Sequence, residues 1–178
     1  MYLISDGGIV SCNISNTYEA IMLTKNLDYL DGVKLDLQFT KDKIIVLFPS
    51  DKLNKITFSN KKISEVDYAY LKKVKFPSHI FHYRISTLQE ILNKYNHHKI
   101  IVLKINNYLL NNTFLETLYQ VISKYNYKYY YLVDDDFVDK IKNSNLFKIG
   151  KLVDENFIIT KYPEKYLKYE SFFDNNFN

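Results

Sequence analysis

Short apolar runs alternate with stretches of helical spacing along the whole 178-residue chain, and no other feature narrows its fold so much. Residues 2–4, 33–40, 44–48, 99–105, 129–133 and 147–153 read as strands, with 156–160 as one more. Residues 16–30, 63–73, 86–95, 115–125 and 137–142 read as helices. Asn16 or Thr17 would cap the first, and Ser86 or Thr87, with Glu90 in the first turn, another. A helix after a strand carries the chain back across the sheet, so the next strand lies parallel to the last. An α/β protein with six or seven largely parallel strands follows. Within it, residues 33–40 alternate strictly between apolar and polar, so that strand has two unlike faces. Asp6-Gly7-Gly8 reads as a turn.

The apolar content is high enough to fill a core: 47% of residues are hydrophobic, including 17 Tyr and 12 Phe, which excludes wholesale disorder. No run reaches the roughly 18 apolar residues of a membrane span. Residues 1–6 lack a basic start and an apolar signal core, so a soluble, cytoplasmic protein is expected. With no internal repeat or linker, residues 1–178 are expected to form one domain. The single cysteine, Cys12, permits neither an internal disulfide nor a cysteine zinc site. The net charge of +4 and the lone arginine, Arg84, argue against nucleic-acid recognition. The lysine–tyrosine run at 125–131 is better explained by packing between sheet and helices than by base stacking.

Asn16-Thr17, then Ala20, then Asp31-Gly32-Val33-Lys34-Leu35-Asp36-Leu37-Gln38-Phe39-Thr40-Lys41-Asp42 resemble a stretch of the glycerophosphodiester phosphodiesterases. That family runs from an E-N-T helix start into a D-G-x-E-x-D-V-x-x-T-x-D strand. The similarity continues through residues 44–53, where the family has a strand ending in His-Asp. Ile85-Ser86-Thr87-Leu88-Gln89-Glu90-Ile91-Leu92 resembles its P-T-L-x-E-x-L segment, and residues 101–106 its later E-x-K strand. The resemblance implies a TIM-like (β/α) barrel. A complete barrel of eight units takes about 250 residues, and roughly 30 residues per unit leaves this chain about six. The barrel is therefore expected to be shortened, either open or closed irregularly by residues 162–178. Tail and second subunit (a homodimer) are equally good candidates to cover an open edge.

Family chemistry needs two histidines for proton transfer and a divalent metal held by three carboxylates, two of them at i and i+2 on one strand. The resemblance places these positions on other residue types. Asp6 stands at the first histidine, Ser15 at the E-N-T glutamate, Lys34 at the strand glutamate, Pro49 at the second histidine and Lys104 at the later glutamate. Asp36 alone keeps its carboxylate. His79, His82, His97 and His98 fall away from the strand ends where barrels place catalysis. Lys34 and Lys104 are expected to project into the barrel mouth and pair with Asp36 where the ion would be. The expected outcome is a degenerate family member with no cofactor, in a binding, regulatory or scaffold role, with a small anionic or phosphate ligand as its candidate partner. Two alternatives stand beside it. One is an active hydrolase with a rebuilt magnesium or calcium site from Asp36 and Asp134-Asp135-Asp136, although those three aspartates are more simply helix caps. The other is an oligomerising structural protein.

Overall fold

A computed structural model describes residues 1–11, 13–77 and 83–165. Cys12, His79, His82 and residues 166–178 lie outside the described residues. Seven strands and five α-helices alternate: β1 (Tyr2–Asp6), α1 (Tyr18–Leu23), β2 (Gly32–Phe39), β3 (Ile45–Leu47), α2 (Tyr68–Leu71), α3 (Leu88–Lys94), β4 (Ile100–Lys104), α4 (Asn112–Ile122), β5 (Lys128–Leu132), α5 (Val138–Lys142), β6 (Gly150–Leu152) and β7 (Phe157–Thr160). Six strands form one parallel series in the order β6-β5-β4-β2-β1-β7, and β3 runs antiparallel beside β2.

The expected helices shorten where their caps and breaks require. α1 begins after Thr17, whose hydroxyl accepts from Ala20 N–H, and gives way after Leu23 to a 3-10 turn. α3 begins after Thr87 with a reciprocal cap, Thr87 Oγ1 accepting from Glu90 N–H while Glu90 Oε2 accepts from Thr87 N–H. The expected helix over 63–73 is instead a 3-10 turn, Ile63–Glu65, followed by the single turn α2.

The strands separate two apolar layers. Val33, Leu35, Leu37, Ile101, Leu103, Tyr129 and Tyr131 face the helices and join Ile21, Leu88, Ile91, Phe114 and Leu118 in the main core. On the other face Ile4, Ile100 and Val102 form a smaller cluster, with Tyr130, Leu132, Val153, Phe157 and Ile159 packed against it. A third cluster, including Phe48, Leu53, Ile63 and Leu71, anchors the segment that follows β3.

Only residues 153–156 join β6 to β7, which are the opposite edges of the series. Five strand spacings of about 4.8 Å would make a flat sheet about 24 Å wide. Five residue steps reach at most about 18 Å. The sheet therefore curls toward itself as a half-barrel, and Val153 packs on the concave cluster of Ile4, Ile100 and Val102. Parallel neighbours ordinarily need a crossover of a dozen or more residues. Four suffice here because the curl brings the two edges near each other.

Close strand approach fixes Gly32. A β-carbon built there would sit 2.1 Å from the Ile100 carbonyl oxygen, a backbone atom that cannot step aside. Gly32→Ala is expected to cost about 1–3 kcal/mol of stability by overpacking, read as a lowered midpoint in chemical denaturation with an unchanged slope.

Candidate functional site

The C-terminal ends of β1, β2 and β4 place charge directly above the apolar floor of the half-barrel. Asp6 is in register with Lys34, and Asp36 with Lys104, so all four side chains leave the sheet on its concave face. Lys34 Nζ lies 2.5 Å from Asp6 Oδ1 and 3.2 Å from Asp36 Oδ1. Lys34 and Asp36 are only 7% and 6% exposed, so this is a buried ion pair of one cation with two carboxylates. On the other side of Lys34 the register partner is Val102, which offers no charge.

Asn16 completes the cluster. Its Nδ2 donates to Asp36 Oδ2 at 2.7 Å, and its Oδ1 accepts from Asp36 N–H at 2.8 Å. This double clamp needs Asn16 in the left-handed region (φ 62°), which asparagine tolerates better than most residues. The turn before it needs glycine: Gly7 has φ +73°, and a β-carbon there would meet Ser15 Oγ at 2.0 Å. Ser15 Oγ in turn accepts from Asn16 Nδ2 at 3.1 Å. Burial works against the charge on Lys34, but the Asp36 and Asp6 carboxylates outweigh it and hold its pKa above the ordinary lysine value.

Lys104 differs from expectation. It is half-buried beside Asp36 yet forms no ion pair among the described residues. Of the two Asp36 oxygens, one is held by Lys34 and the other by Asn16. Pro49 is exposed at the end of β3, and the neighbouring Asp51 is half-buried. The alternative metal cluster is not assembled. β4 separates β2 from β5, putting Asp134 two strand spacings, about 10 Å, from Asp36. Asp134 Oδ2 accepts from Asn107 Nδ2 at 2.6 Å, while Asp135 and Asp136 are exposed. None of the three makes a side-chain cap: a 3-10 turn, Asp135–Phe137, intervenes before α5. His97 and His98 are exposed ahead of β4, at the opposite end of the strands from the charged cluster.

Beside the cluster, Tyr108 OH donates to Gln38 Oε1 at 2.9 Å, and Gln38 Nε2 donates to the Phe48 carbonyl at 3.2 Å. Gln38, Asp51, Lys62 and Tyr108 line part of a cavity of about 580 Å³ at this rim. The sequence reads Asn16 as a possible cap within the E-N-T-like stretch, and Asp6 both as part of a turn and at the position of the first family histidine. Their placement around Lys34 depends on strand register, of which the polar face of residues 33–40 is the signal.

The glycerophosphoryl diester phosphodiesterase family model matches residues 8–149. This chain belongs to that family. Uncharacterized protein MG385 of Mycoplasma genitalium is 31% identical over 98 residues, which is 53% of this chain and 41% of MG385. Among solved structures, a phosphodiesterase of Oleispira antarctica in complex with the product sn-glycerol-3-phosphate superposes with a TM-score of 0.73 at 16% identity, covering 98% of this chain and 72% of that one. A glycerophosphodiester phosphodiesterase of Thermotoga maritima gives 0.65 at 20%, covering 96% and 70%. A glycerophosphoryl diester phosphodiesterase of Agrobacterium tumefaciens gives 0.67 at 15%, and this chain spans 61% of it. The chain thus spans well under two thirds of MG385 and of the Agrobacterium structure, and its half-barrel is a shortened TIM-like fold of the family.

Family members of the expected pattern would place a divalent ion among carboxylates at this rim. The residues present do not fit one. Two of the three carboxylate positions hold Lys34 and Lys104, the E-N-T glutamate position holds Ser15, and the remaining Asp36 already accepts from Lys34 and Asn16. Among the described residues no three His, Cys, Asp or Glu side chains gather into a possible ion site. An ammonium at hydrogen-bond distance from both aspartates already places one positive charge between them, and a divalent ion close by would be repelled by it.

Removing Lys34 leaves two carboxylates facing each other in a poorly solvated site. Lys34→Met is expected to lower stability by about 3 kcal/mol in denaturant titration. Because the folded-state pKa of Lys34 is raised, its contribution is complete below the unfolded value of 10.5 and is lost as pH rises through the folded value. The stability difference between wild type and Lys34→Met should therefore shrink above pH 10.5 and stay constant from neutral pH up to there.

Proposed function

We propose that this family member has lost metal-dependent phosphodiester hydrolysis and retains a binding, regulatory or scaffold role. One observation carries the reading: the Lys34 ammonium lies between Asp6 and Asp36, at the position that resemblance assigns to a metal-binding glutamate. With no three His, Cys, Asp or Glu side chains gathered to hold an ion among the described residues, and no described histidine near the cluster to move a proton, neither half of the family chemistry has its residues. The lost carboxylates and the lost histidines support the same conclusion independently.

The candidate partner is a small anion at the rim. Lys104 offers a half-buried ammonium without an ion pair, Tyr108 a polar hydroxyl nearby, and the cavity beside Gln38 space for a few heavy atoms. The Oleispira relative holds sn-glycerol-3-phosphate, which makes that compound a reasonable probe. Its phosphate would pair with Lys104 rather than Lys34, whose charge is already neutralised.

Purified protein is expected to hydrolyse glycerophosphocholine no faster than buffer in the presence of magnesium or calcium, and to show no heat of binding for either ion. Turnover abolished by Asp36→Ala would overturn the proposal. In a separate calorimetric titration, sn-glycerol-3-phosphate is expected to bind weakly, and Lys104→Ala to weaken it about tenfold, the loss of one charge-assisted contact. Equal binding by wild type and Lys104→Ala would leave the rim without its proposed anion contact.

A further inference from the structure

Phe58 is 77% exposed, far more than any other described phenylalanine, and it stands in a loop that is otherwise firmly built. Lys52 and Lys62 form an antiparallel bridge at the loop's base, where Leu53 N–H donates to the Lys61 carbonyl and Ile63 N–H to the Asp51 carbonyl. Leu53 is fully buried in the cluster beneath, and half-buried Ile56 packs on it. Thr57 Oγ1 donates to the Leu53 carbonyl at 2.8 Å and accepts from Ser59 N–H at 3.2 Å. Ser59 Oγ is 2.9 Å from Tyr70 OH on α2. Every apolar neighbour turns inward, and this braced frame turns Phe58 outward.

Its surroundings are basic. Residues 51–62 contain Lys52, Lys55, Lys61 and Lys62 against one carboxylate, Asp51. None of these lysines forms an ion pair among the described residues. Lys61 Nζ instead lies 4.6 Å from the centroid of Tyr70, itself 36% exposed. Single exposed apolar side chains are ordinary on protein surfaces. A phenyl ring presented by a hydrogen-bonded loop that carries four lysines without ion pairs among the described residues, the loop itself tied to an exposed tyrosine, is a different arrangement. The ring suits the acyl boundary of a bilayer, and the lysines suit the negative potential of its headgroups.

We propose that residues 51–62, with Tyr70, dock this protein reversibly on an anionic lipid bilayer, Phe58 entering the interface and Lys52, Lys55, Lys61 and Lys62 contacting acidic headgroups. Charge complementarity selects that occupant. Lys62 and Asp51 also line the rim cavity, so docking here would bring the mouth of the half-barrel close to the lipid surface. The proposal does not depend on whether the protein hydrolyses anything. One aromatic anchor plus four lysines gives weak, salt-sensitive association, not permanent anchoring.

The test is co-sedimentation of the full chain with vesicles of phosphatidylglycerol and phosphatidylcholine, against vesicles of phosphatidylcholine alone. Binding to the anionic vesicles only, reduced by salt, is expected. Phe58→Ser and the double variant Lys55→Glu/Lys61→Glu should each lower the partition coefficient about tenfold, with melting temperatures close to wild type because these side chains are exposed. The chain has no tryptophan, so Phe58→Trp supplies a clean reporter whose emission should shift to the blue on adding anionic vesicles. Absence of binding, equal binding to neutral vesicles, or anionic binding that Phe58→Ser leaves unchanged would each overturn the proposal. In the last case, matching retention on heparin would identify plain polyanion attraction.

Discussion

A concave sheet face that carries charge must pair it locally, and in this protein one ammonium bridges two carboxylates. Lys34 sits on the central strand of the half-barrel, between Asp6 on β1 and its own strand neighbour Asp36. Below it the concave face is apolar, and on its far side stands Val102. A lone charge in such a layer would be expensive, whereas a triad with a clamped carboxylate is tolerated. The rest of the rim follows from it. Asn16 is held in a left-handed conformation by its bonds to Asp36, Gly7 and Gly8 take the positive φ values that bring the turn to Asn16, and Lys104 stands beside Asp36 without an ion pair among the described residues.

Exchanging an ion for a side chain alters how the rim responds to its surroundings. A metal can leave or be chelated, and its ligands then repel one another. An ammonium tethered to β2 cannot leave, and its charge persists across the physiological pH range. The positive charge between Asp6 and Asp36 is therefore a covalent part of the chain.

Much of this fold was legible in the sequence because its determinants are local. The alternation at residues 33–40 marked a strand with a polar face, and Thr87 with Glu90 marked the start of α3. What escaped was set by register and by competition for partners. That Lys34 would bridge Asp36 to Asp6, with Lys104 left outside the ion pair, depends on β1 lying beside β2 with Asp6 opposite Lys34, which no window of sequence records. In place of the helix expected over 63–73, a 3-10 turn and a single helical turn together bring Ile63, Val66 and Leu71 into the one cluster under the post-β3 segment. The three aspartates after β5 looked like caps or ligands, but Asn107 recruits one and a 3-10 turn removes the need for the others.

The four-residue join between β6 and β7 has a consequence for how the molecule is made. It returns β7 to β1, where Phe157 pairs with Tyr2 and Thr160 with Ser5, more than 150 positions apart. During synthesis that edge of β1 stays bare until β7 has emerged. That seam closes last and at the largest loop-entropy cost, so it is the natural place for the molecule to open first.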